Sequence, residues 1–97
     1  MPDEKLELEE LRSRVRPILR RHDVSRAELF GSYARGEQDE ESDVDLVVEF
    51  EGEKTLVDIS RLRKELENSL GKDVDVLTYN SVHPNIRKRV EEEAVEI

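Results

Sequence analysis

The chain has 97 residues, enough for one small domain whose folding buries only about 60–65% of the unfolded surface. Its net charge of -9 argues against general, charge-driven nucleic-acid binding, and the absence of cysteine excludes disulfides and thiolate zinc sites and suits a reducing cytoplasm. No stretch approaches the roughly 20 apolar residues of a membrane span and the N-terminus lacks the apolar core of a signal peptide, so the expectation is a cytoplasmic protein without membrane association.

Although 42% of the residues are charged and 35% apolar, the apolar ones fall into periodic segments, as a packed fold requires. Leu8, Leu11, Val15, Ile18 and Leu19 have helical spacing, with Pro17 predicting a kink or a restart. His22 to Ser25 reads as a loop, Ala27 to Phe30 as a short buried strand stopped by Gly31-Ser32, and Tyr33 to Arg35 as one helical turn. An acidic connection, Glu37 to Glu41, leads to a strand in which Val44, Leu46 and Val48 alternate with Asp43, Asp45 and Val47. Leu56, Ile59, Leu62, Leu66 and Leu70 mark an amphipathic helix capped by Gly71. Val74, Val76 and Tyr79 alternate with Asp73, Asp75 and Leu77 in a third strand. Ser81 and Pro84 open a last helix with Ile86 and Val90 on one face. Ala94 to Ile97 is too short to assign, with a terminal edge strand as the open alternative. This order predicts an α+β (mixed α/β) fold: a small mixed β-sheet with helices packed on one face.

The informative stretch is Gly31-Ser32-Tyr33-Ala34-Arg35-Gly36, followed by Ser42-Asp43-Val44-Asp45-Leu46-Val47-Val48. Strand residues two apart share a face about 6.6 Å apart, so Asp43 and Asp45 stand together while Val44, Leu46 and Val48 enter the core. Two carboxylates this close repel, and a pair of Mg²⁺ ions, with Mn²⁺ as a substitute, answers that repulsion while gripping phosphate oxygens. Asp75 offers a third ligand from a neighbouring strand, with Asp73 as its rival; Asp75 is preferred because it sits deeper in the apolar segment. Gly31 permits close backbone approach, Ser32 adds a hydroxyl and an amide at a helical start, and Arg35 adds a charge that suits phosphate. Each piece alone has an ordinary explanation as a turn, a solvent face or a surface ion pair; together they have few.

In this order and spacing the residues resemble the signature of the DNA polymerase beta-like nucleotidyltransferases. The similarity is greatest to their smallest branch, the minimal (MNT) domains of MntA type, which pair with HEPN-domain proteins as toxin–antitoxin systems. The resemblance implies a polymerase beta palm-like core. It implies that Asp43 and Asp45 bind both metal ions, that Asp75 completes the site of the ion activating the acceptor hydroxyl, and that Gly31 and Ser32 hold the β- and γ-phosphates. Arg35 would contact phosphate or brace the loop, Gly36 belongs to the same motif, and Ser42 would orient the turn into the strand. The implied reaction moves AMP from ATP, or another nucleoside monophosphate from its triphosphate, onto an acceptor hydroxyl, with release of pyrophosphate. A HEPN-domain partner is the implied acceptor, and a second copy of the chain is the other way to complete the site.

Two further readings stand beside this one: a non-catalytic module that neutralises a toxin by contact, and a transferase acting on a small molecule such as an antibiotic. His22 and His83 read as loop or cap residues. Tyr33 and Tyr79 suit packing or stacking on a base. The arginines at 12, 14, 16, 20 and 21 read as a solvated helix face balanced by glutamates, with a partner-binding surface as the sharper alternative.

Overall fold

A computed structural model describes residues 7–39 and 41–97, so Glu40, within the acidic connection, lies outside the described residues. The first apolar series becomes α1 (Leu8–Arg21), which turns Leu11, Val15, Ile18 and Leu19 inward. Glu9 and Glu10 begin this helix and Arg20 and Arg21 end it, the order the helix dipole favours. Of the kink or restart expected at Pro17, the restart does not occur, since the helix runs unbroken from Leu8 to Arg21. Pro17 is exposed, so the backbone hydrogen bond it removes falls on the solvent side, where water can satisfy the freed carbonyl.

Asp23, at φ 60°, turns the chain into β1 (Val24–Phe30). This strand begins three residues before the apolar run, taking in Val24 and Ser25 from the expected loop. Pairing with the longer β2 (Val44–Phe50) recruits them, since Val24 lies opposite Phe50, with an irregularity before Arg26. Between the two strands lies α2 (Ser32–Arg35), the expected single helical turn. The chain then continues through α3 (Leu56–Leu70), β3 (Val74–Thr78), α4 (Pro84–Glu93) and β4 (Val95–Glu96).

Thr55 and Asp58 start α3 with a reciprocal capping box: the Asp58 amide donates to Thr55 Oγ1 at 3.3 Å and the Thr55 amide to Asp58 Oδ2 at 2.9 Å. Gly71, at φ 67°, ends the helix, and the Val74 amide donates to Glu67 Oε2 at 3.1 Å, which ties the end of α3 to the start of β3. Thr55→Ala is expected to cost about 1 kcal/mol, read as a lower urea midpoint with an unchanged slope.

The sheet has the order β3-β2-β1-β4. The central β2 is antiparallel to β1 and parallel to β3, the crossover being α3. Leu29, Val44, Leu46, Val48 and Val74 face α1 and α3 and form the main core, so the two long helices share one face of the sheet as expected. The other face is partly covered. Val47 is fully buried against Val82 and Val90, with Phe30, Leu77 and Tyr79 packed around them. The C-terminal segment left open by the sequence is an edge strand, with Val95 opposite Leu29 and the Ile97 amide donating to the Ala27 carbonyl at 3.0 Å.

Candidate active site

The side chains on the second sheet face are set by register. Asp45 pairs with Asp75 across β2 and β3, and on its other side it pairs with Phe30, the residue just before Gly31. The glycine-serine turn is therefore delivered to Asp45 by the end of β1, and Asp75 by the crossover through α3. Gly31 has φ 78° and ψ -152°, a conformation open essentially to glycine alone. A Cβ there would lie 2.5 Å from Asp45 Oδ2, so the missing side chain is what lets the carboxylate sit against the turn.

Asp45 is half-buried and its carboxyl is pushed up to about 6, first by desolvation, then by the Asp75 charge and a hydrogen bond shared with Asp75, with Asp43 adding further repulsion. Asp43 is exposed, one residue before β2. The turn that presents it is held by Ser42, whose Oγ accepts from the Asp39 amide at 2.9 Å and donates to Asp39 Oδ1 at 3.2 Å. Asp75 is exposed towards the sheet edge. Its rival Asp73 precedes β3 and borders a second surface hollow with Glu41, Ser42, Asp43 and Glu67, of which Asp43 alone also lines the hollow at Gly31.

A cavity of about 420 Å³ opens at this place. Its walls are Phe30, Gly31, Ser32 and Arg35 from β1 and α2, Asp43 and Asp45 from β2, and Ile86, Arg89 and Glu93 from α4. Asp75 meets the cavity only through Asp45. The α4 wall was not foreseen in the sequence. Ile86 was expected to pack with Val90, yet it is 37% exposed and faces the cavity, while Val90 is buried. The helical spacing of Ile86, Arg89 and Glu93, three then four residues apart, carried the missing signal.

Arg35 is held by two carboxylates, with Nε 2.6 Å from Glu37 Oε1 and Nη1 3.7 Å from Glu93 Oε2. Tyr33 is buried in the main core, so it cannot stack on a base. Tyr79 donates to Glu28 and lies under Arg26, 5.1 Å from guanidinium carbon to ring centre, so it packs on the sheet face. His83 caps α4 by accepting from the Asn85 amide at 3.2 Å, and His22 Nε2 lies 2.9 Å from Glu65 Oε1. Arg12 and Arg14 pair with Glu9 and Glu10, and Arg21 with Glu65, as a balanced helix face would.

The donor set fits a hard divalent cation. Among the described residues no three acidic or histidine side chains converge as a ready-made cage. Mg²⁺ does not require one, since it commonly binds through one or two carboxylates and completes its shell with water and substrate phosphate. Burial first, and then the Asp75 and Asp43 charges, raise the Asp45 carboxyl, and the repulsion is the part such an ion would relieve.

The nucleotidyltransferase domain family profile matches residues 9–97, and the chain belongs to that family. It is accordingly a transferase enzyme. A Methanocaldococcus jannaschii protein, provisionally named a protein adenylyltransferase, is 52% identical over 92 residues, which cover 95% of this chain and 99% of that protein. A solved structure, provisionally a minimal nucleotidyltransferase, superposes with a TM-score of 0.81 at 41% identity, covering 95% of this chain and 97% of the other. A chain in the Shewanella oneidensis complex of a tri-AMPylated HEPN toxin with MNT antitoxin superposes with a TM-score of 0.73 at 20% identity, covering 91% of this chain and 69% of the other. That last likeness speaks to the fold alone.

Proposed function

We propose that the chain is a protein adenylyltransferase antitoxin that moves AMP from ATP onto a hydroxyl of a HEPN-domain partner. The observation that carries the reading is the seating of Asp45 against Gly31 with Asp75 in register beside it, a placement with no evident packing benefit and an electrostatic cost. The name borne by the 52% identical relative supports the adenylyl group and the protein acceptor, and the HEPN partner is proposed from the motifs' resemblance to minimal (MNT) domains. We take residues 1–97 as a single minimal domain working in the cytoplasm. Among the described residues no helix is long and apolar enough to cross a membrane.

In this reading Asp43 and Asp45 would hold a pair of Mg²⁺ ions, with Asp75 as a further ligand. When bound, the ions neutralise phosphate charge and favour ionisation of the attacking hydroxyl. Gly31 lets the triphosphate approach the backbone, while the Ser32 hydroxyl and the first-turn amides of α2, which have no partner within the helix, receive phosphate oxygens. The acceptor oxygen forms its bond to the α-phosphorus as the bond to the β-phosphate oxygen breaks. Pyrophosphate leaves, and the hydroxyl proton passes to solvent. Positioning and charge supply most of the acceleration in such transfers, so few protein groups are required.

The partner, or a second copy of the chain, supplies the acceptor side of the site in this proposal. Incubation with α-phosphate-labelled ATP, Mg²⁺ and a HEPN-domain protein encoded beside it is expected to label that protein, and Asp43→Asn to abolish the label. An unlabelled partner that Asp43→Asn still neutralises would establish the contact-only module instead.

A further inference from the structure

We infer that Arg89, on α4, is the cation that meets the triphosphate of the incoming nucleotide, and that Arg35 braces the site. The assignment rests on the nucleotidyltransferase reading and adds a binding residue outside the glycine-serine and aspartate motifs. Arg35 is the cation the motif offers, but its guanidinium is engaged by Glu37 and Glu93. The second of these pairs runs from α2 to α4 and ties the two walls of the cavity together.

Arg89 borders the same cavity, with Gly31, Ser32 and Asp45 on the facing walls, and no ion pair occupies it among the described residues. Buried Val90, packed on Val47 and Val82, fixes the rotation of α4, and Arg89 precedes it on the cavity side. The remaining charges of the cavity are Asp43, Asp45 and Glu93, so a polyanion entering it needs an opposing cation as well as the metal ions. The planar fork of arginine matches two phosphate oxygens at once, which a point charge cannot do.

The test measures binding by calorimetry with the full chain, using Mg²⁺ with a non-hydrolysable ATP analogue and, separately, adenosine. Arg89→Gln is expected to weaken the analogue roughly 10- to 100-fold, as befits loss of a charge-assisted contact, and to leave adenosine unchanged. Arg89→Lys is expected to recover part of the loss, and it keeps the test valid if the glutamine variant folds poorly. Lys88→Gln removes the same charge one position away, outside the cavity walls, and is expected to bind as the unaltered protein does. Analogue binding unaffected by Arg89→Gln would overturn the Arg89 assignment alone, as would an equal loss of adenosine. An unaltered protein that binds no nucleoside triphosphate would overturn the nucleotide-site reading and this assignment with it.

Discussion

Asp45→Asn is expected to abolish transfer and, in the absence of metal, to make the protein more stable at neutral pH. The loss of activity follows from removing a carboxylate shared by both proposed ions and should reach roughly 10³-fold. The gain in stability follows from the raised carboxyl, which moves from 3.8 to about 6. A group whose folded-state pKa lies above its unfolded value favours the fold most at low pH. That advantage is lost as pH rises from about 4 through about 6, and above this the ionised carboxylate is a standing penalty. The full shift corresponds to about 3 kcal/mol, which partial solvent access reduces to roughly 1–2 kcal/mol. Denaturation of the metal-free proteins should show nearly equal stabilities near pH 4 and a gap in favour of Asp45→Asn that opens by pH 7. An asparagine variant less stable than the unaltered protein at pH 7 would show that the acid pair does not strain the fold.

Gly31→Ala is the second large effect. Its Cβ would lie 2.5 Å from Asp45 Oδ2, and the backbone at φ 78° disfavours any side chain, so either Asp45 or the turn must move. Backbone strain of this kind costs roughly 1–3 kcal/mol. A displacement near 1 Å at the reacting centre costs roughly 10²-fold in rate. Gly71→Ala is the matched control, because Gly71 is also left-handed at φ 67° but has open space around its Cβ position. It should lose roughly 1 kcal/mol of stability and keep its activity. Equal activity losses in the two variants would mean that Gly31 acts through stability alone.

Much of the fold was legible because its determinants are local. The apolar spacing of Leu11, Val15, Ile18 and Leu19 and of Leu62, Leu66 and Leu70 reports two helix faces directly. The alternation at Val44, Leu46 and Val48 does the same for the central strand. The site was legible in part because the glycine-serine turn and the aspartate pair are short motifs. Register across the α3 crossover sets Asp75 opposite Asp45 and favours it over Asp73, a long-range property that deeper placement in an apolar segment could only suggest. The burial of Val47 depends on α4 folding back over the second face, and so does the cavity wall of Ile86, Arg89 and Glu93. Packing and base stacking stayed open for Tyr33 because a four-residue helix gives no periodicity from which to read its inner side, and burial decides for packing. The early start of β1 likewise depends on the strand it pairs with, which polar residues such as Ser25 and Arg26 do not announce.

The proposed site seats divalent ions on Asp43, Asp45 and Asp75 beside a triphosphate held at Gly31 and Ser32. Electron paramagnetic resonance of Mn²⁺, with a non-hydrolysable ATP analogue and the full chain at pH 8, tests it most directly. Protein-bound Mn²⁺ is expected to need the analogue for full affinity and to be largely lost in both Asp45→Asn and Asp75→Asn. Equal Mn²⁺ binding by the unaltered protein and the two variants would contradict it.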